Sequence, residues 1–198
     1  MQQDVIMTGS ASDRSYLRRD IRAASGWYGS RHLEEYFAMG GNRRGALTRL
    51  SAQEEKEFAA LAEGITGDEK TLRMKNFIQH GTISTHEHCM DVARCAFKLN
   101  RHLHLHADEK VLVEAGFLHD YYLYDWHTHG DSLHGYHHAQ IAAENARKDF
   151  GVSEKAEDAI RTHMWPLTLT RVPSSKEAWI ISLADKMCSA RETLFERG

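Results

Sequence analysis

At 198 residues the chain is long enough for one cooperative core. Its formal charge of -3 and 27% charged side chains point neither to a disordered segment nor to a polyanion-binding surface. No basic stripe of the kind a nucleic-acid binder needs stands out, and no stretch approaches the roughly 18 apolar residues of a bilayer span. The opening MQQDVIMTGSASDRS lacks an apolar signal core, and Cys89, Cys95 and Cys188 are an odd set without Cys-x-x-Cys spacing. A cytoplasmic protein with reduced, buried thiols is expected.

Apolar residues recur three or four apart and proline is confined to Pro166 and Pro173, so an all-helical domain is expected. Tyr16 to Ala24 and the segment RHLEEYFAMGG read as short helices, and GNRRG as a turn whose two arginines face solvent. Ser51 and Glu54 have capping-box spacing before EKEFAALAEG, and a second short helix is predicted from about Asp68 to Gln79. Residues 1–77 therefore read as a helical N-terminal extension packed on a compact helical domain of residues 78–198.

Punctuation is clearer beyond it. Ser84 and Glu87 repeat the capping-box spacing, and the helix they begin places His88, Val92, Cys95 and Leu99 on one face. His88 is preferred over His86 because that face begins at His88; His80 and His86 read as helix-end residues. Asp108 starts a helix in which Val111, Ala115 and Leu118 lead to His119-Asp120 at its end. A loop, YYLYDWHTHGDSLHG, comes next, then a helix from about His137 to Phe150 that stops at Gly151. Ser153 begins a helix aligning Ala156, Ile160 and His163 before Pro166, and a last helix from about Ser175 aligns Ala178, Ile181, Asp185 and Cys188.

Fourteen histidines are present, twelve of them between His80 and His138, which is a reason to search for a metal site. Asp185 is buried among apolar neighbours in IISLADKMCSA, a costly placement unless a cation or hydrogen bonds compensate it. His88, His119-Asp120, His138 and His163 approach from other helices. A divalent metal would satisfy all of these imidazoles and carboxylates at once. Adjacent residues cannot share an ideal helical face, but at a fraying helix end His119 and Asp120 can converge.

The order His88, then His119-Asp120, then Asp185 resembles the HD-domain superfamily of metal-dependent phosphohydrolases. EHCMDVA is similar to its first helix, FLHD to its doublet and LADKMCSA to its closing helix, over about Ile78 to Arg191. The resemblance implies that His88, His119, Asp120 and Asp185 hold one ion, while His138 and His163 hold a second with Asp120 bridging. Two divalent or mixed-valence ions are expected, iron or manganese first for a His-rich N/O site, with zinc, nickel or magnesium as alternatives. Metal-activated water would then hydrolyse a small phosphate ester or nucleotide, with Asp120 and Lys186 as catalytic candidates, Lys186 through a phosphate contact.

Departures from the pattern narrow the substrate. HDYYLYDW lacks the glutamate of the mononuclear nucleotidase branch, and GYHHA lacks the GYP segment of cyclic-dinucleotide hydrolases. Symmetric dinucleoside polyphosphates stay open. Two alternatives remain: a di-iron oxygenase of the same fold acting on a phosphonate or polyol, and a nonenzymatic metal-braced module. His102, His104 and His106 read as a wet loop, and His127, His129, His134 and His137 as surface residues or supports near the site. Trp126, Trp165 and Trp179 read as aromatic packing.

Overall fold

The structure is a computed structural model that describes residues 45–125 and 134–195. The helices expected near Tyr16 and in RHLEEYFAMGG, and the loop residues Trp126, His127 and His129, lie outside the described residues. Seven helices and one short hairpin are present among the described residues: α1 (Ala52–Leu61), α2 (Glu69–Leu72), β1 (Ile78–His80), β2 (Ile83–Ser84), α3 (Thr85–His102), α4 (Glu109–Leu118), α5 (His134–Phe150), α6 (Glu154–Thr162) and α7 (Lys176–Phe195).

Both capping boxes form. Ser51 Oγ accepts from the Glu54 amide while Glu54 Oε2 accepts from the Ser51 amide at 2.8 Å, and Ser84 and Glu87 repeat the exchange, with 3.0 Å for the return bond. Asp108, Ser153 and Ser175 satisfy the first free amides of α4, α6 and α7 in the same way. Gly151 ends α5 at a φ of 62°, a conformation that costs glycine little.

The helix expected over Asp68 to Gln79 is corrected. It stops at Leu72, continues as one 3-10 turn over Arg73–Asn76 and gives way to β1, which pairs antiparallel with β2. Phe77 is extended (φ -113°, ψ 131°), and its carbonyl accepts from the Thr85 amide at 2.8 Å. Gly81, at a φ of 55°, allows the reversal. A backbone partner twenty-odd ångströms of chain away thus outweighs local helical preference. His80 consequently lies in a strand, and α5 begins at His134, three residues ahead of its expected start.

α3 is the central element. It packs on α4 and α7, while α6 sits against α4, α5 and α7. At Gly116 α4 lies tight against α3: an added Cβ would stand 2.7 Å from Ala93 Cα. Residues 45–77 join the same apolar core through Leu50, Phe58, Ala62, Ile65 and Met74. The buried Arg94 makes a two-pronged pair with Glu55 at 2.5 and 2.6 Å, with its guanidinium 5.1 Å from the Phe58 ring centre. No helix of the described residues is long and apolar enough to cross a membrane.

Candidate metal centre

Five helices deliver the six expected side chains to one interior point. His88 comes from the first turn of α3, His119 and Asp120 from the end of α4, and His138 from the first turns of α5. His163 caps α6, and Asp185 comes from the middle of α7. All six are less than a tenth exposed. α4 ends at Leu118; His119 follows as its C-cap, still in helical backbone conformation, and Asp120 lies in the turn beyond, with both side chains buried. His86 is a helix-end residue as expected, in the first turn of α3, and it is buried there, 3.3 Å from the Thr66 carbonyl and edge-on to Phe117.

Asp120 lies between two pairs of rings. Its Oδ2 is 3.4 Å from His119 Nε2 and 4.0 Å from His88 Nε2, and its Oδ1 is 3.2 Å from His138 Nε2 and 3.6 Å from His163 Nε2. Asp185 Oδ1 completes the first group, 3.4 Å from His88 Nε2 and 3.7 Å from His119 Nε2. Donor atoms held about 2.0–2.2 Å from one ion stand roughly 3–4.3 Å from one another. Among the described residues two sets have potential ligand atoms all within 4.8 Å of each other: His88, His119 and Asp185, and His119, Asp120 and His163.

Outer hydrogen bonds orient these rings. His119 Nδ1 donates to the Gly116 carbonyl and His163 Nδ1 to the Ile160 carbonyl, each at 2.8 Å and each three residues back. Carbonyls near the end of a helix lack intrahelical partners, so these bonds both close the helix and fix the tautomer. His88 Nδ1 donates to Glu192 at 2.9 Å, leaving all three Nε2 lone pairs aimed inward. His119 Nε2 and Asp120 Oδ1 are buried and make no hydrogen bond among the described residues. Buried polar atoms without such bonds are costly, and a cation is the partner this donor set suits.

Electrostatics agree. Burial opposes charge on His88, yet Asp185 and Glu192 outweigh it and raise the ring to about 10. Burial likewise opposes ionisation of Asp120, but His119 and His138 hold it well below the usual carboxylate range, and His88 and His119 lower Asp185. Burial and the neighbouring His119 push His163 down to about 3. Enclosed carboxylates make a pocket that stabilises positive charge, whether it arrives as a ring proton or as a metal ion.

Lys186 stands at the edge. Its Nζ donates to the His163 carbonyl at 2.7 Å and to Asp185 Oδ2 at 3.2 Å, so it touches two of the candidate ligand residues. His104 and His106 are exposed in the loop after α3, while His102, also exposed, is the last residue of that helix rather than part of the loop, and Trp165 packs edge-on against Trp179 at 4.7 Å. All three cysteines are free and buried. Two polar residues escaped sequence reasoning. Glu192 is seven residues after Asp185, on the same helical face, a spacing that carries a usable signal. Gln79, whose Nε2 donates to Asp120 Oδ2 at 2.6 Å, carried none, because its segment read as helix.

The family model of the HD domain matches residues 85–190, more than half of the chain. No curated protein and no solved structure matches it.

Proposed function

Because the chain belongs to the HD-domain family, we propose that it is a metal-dependent phosphohydrolase acting on a small phosphate ester or nucleotide. His88, His119, Asp120 and Asp185 hold one ion, and His138 and His163 hold a second with Asp120 shared. The observation that carries this is the division of Asp120, whose Oδ1 lies 3.2 Å from His138 Nε2 while its Oδ2 lies 3.4 Å from His119 Nε2. Iron or manganese suits the mixed nitrogen and oxygen set best.

When bound, such ions supply a water of lowered pKa and neutralise phosphoryl oxygens. The chain's own residues do the rest. The carbonyl-anchored His119 and His163 and the Glu192-anchored His88 present fixed lone pairs, which avoids reorganisation at the moment of reaction. Buried walls exclude bulk water, which strengthens every charge interaction inside. Lys186, about 40% exposed, can leave Asp185 Oδ2 to meet a phosphoryl oxygen while staying at the pocket rim. In this reading the protein is cytoplasmic, and residues 1–77 are an extension on a catalytic domain of residues 78–198.

The test is phosphate release from a panel of monoesters, nucleotides and dinucleoside polyphosphates, with manganese- or iron-loaded protein in oxygen-free buffer. We expect turnover that Asp120→Asn abolishes while the thermal midpoint stays within a few degrees. Oxygen consumption with a phosphonate or polyol, and no phosphate released anaerobically, would transfer the chain to the oxygenase class.

A further inference from the structure

Gln79 lies in β1, ahead of the segment that matches the HD domain. Its Nε2 donates to Asp120 Oδ2 at 2.6 Å, and its Oε1 accepts from the Tyr122 hydroxyl at 2.7 Å and the Thr85 hydroxyl at 3.2 Å. An ionised carboxylate only accepts, so the amide must turn its NH2 toward Asp120, and the two hydroxyls then lock the other end. A strand, the first turn of α3 and a tyrosine four residues beyond the end of α4 thus combine to aim one amide at one carboxylate oxygen.

We propose that Gln79 is a positioning residue for the second cation: by pinning Asp120 Oδ2 it keeps Oδ1 aimed at His138 and His163. The proposal rests on the metal-centre reading above. A carboxylate turns easily about its last torsion, which is broad and nearly two-fold. Asp120 Oδ1 makes no hydrogen bond among the described residues that would hold it, so the restraint acts through Oδ2. The two groups of potential ligands also differ in their dependence on Asp120. His88, His119 and Asp185 close on one another without it, so the first ion keeps a carboxylate in Asp185, whereas the carboxylate oxygen beside His138 and His163 is Asp120 Oδ1. Release of Asp120 therefore weighs more on the second ion than on the first.

A purely structural role, tying the hairpin to the end of α4, would give a different pattern. Manganese(II) binding to the full chain separates the two, by calorimetric titration and by elemental analysis after gel filtration, with thermal midpoints recorded in chelator. The wild-type protein is expected to retain two equivalents. Gln79→Leu should retain the first with affinity within about threefold of wild type and bind the second about 10–100-fold more weakly, the range seen when a ligand's outer partner is removed. Tyr122→Phe, which keeps the amide but frees one end of it, should shift the second affinity in the same direction by less, and it carries the test should Gln79→Leu not fold. Two ions bound by Gln79→Leu at wild-type affinity, with only the midpoint lowered, would overturn the assignment, as would equal weakening of both ions. A wild-type protein that takes up no manganese overturns the metal-centre reading and this assignment with it.

Discussion

Gly116→Ala probes the contact that sets the spacing between the helices bearing His88 and His119. An added Cβ would lie 2.7 Å from Ala93 Cα, 3.1 Å from its amide nitrogen and 3.2 Å from its Cβ. Two of those atoms are backbone, so no rotamer change relieves the overlap and α3 must move away from α4. Overpacking of this kind costs about 1–3 kcal/mol. A 2.7 Å approach to backbone belongs in the upper part of that range, about 2–3 kcal/mol, and alanine returns about 1 kcal/mol through helix propensity, leaving a net loss of about 1–2 kcal/mol. At about 2–4 °C per kcal/mol for a chain of this size, the thermal midpoint should fall by about 2–8 °C. Gly135→Ala is the control, because its nearest neighbour is the side-chain carbon Leu167 Cδ2 at 3.2 Å, which can yield. Its midpoint should stay level or rise. Since the His88 and His119 rings sit 5.2 Å apart across this same contact, Gly116→Ala should weaken cation binding as well. Calorimetry on both variants decides the matter, and a Gly116→Ala protein as stable as its parent refutes the packing account.

Other perturbations reach the site and its supports. Glu192→Leu strands the His88 Nδ1 proton in a buried setting, and a chelator competition should then show cation affinity reduced about 10–100-fold. Ser84→Ala removes the cap of the helix carrying His88 and should cost about 1 kcal/mol in urea denaturation; no loss would mean that the cap is redundant. Lys70 holds the Asp149 carboxyl below its usual range, chiefly by their 2.7 Å hydrogen bond. A lowered folded-state value contributes stability above the unfolded pKa, near 3.8, and loses it as pH falls below that point. Lys70→Met should therefore be less stable than wild type at pH 7, by no more than about 1 kcal/mol for so exposed a pair, and the gap should narrow as pH falls below that point. A gap that widens on acidification contradicts the pairing.

Sequence carried the helical half of this architecture because its signals are local. Ser84 with Glu87 and Asp108 with Val111 mark helix starts through side-chain-to-amide bonds spanning three residues, and Gly151 marks a stop through its own backbone. The face His88, Val92, Cys95 follows from helical period alone, and it turns His88 into the core. Gln79 was hidden because its strand exists only through pairing with Ile83 and Ser84 and through the bond from Thr85 to Phe77, which no window around Asp68 to Gln79 contains. His86 stands at a helix end as expected, but its burial was not legible for a related reason: it depends on Thr66 and Phe117, from two distant segments. The meeting of six polar side chains was legible as a need for compensation, since a carboxylate within IISLADKMCSA has no local partner. The sharing of the two Asp120 oxygens between ring pairs is a property of tertiary placement.

The central claim is that these separated imidazoles and carboxylates enclose cations, and diffraction measured on either side of the manganese and iron absorption edges, from crystals grown without chelator, tests it directly. The account predicts anomalous peaks about 2.0–2.3 Å from His88 Nε2, His119 Nε2 and an Asp185 oxygen, with a second beside Asp120, His138 and His163. Peaks confined to exposed histidines such as His102 and His104, with nothing between Asp120 and Asp185, would contradict it.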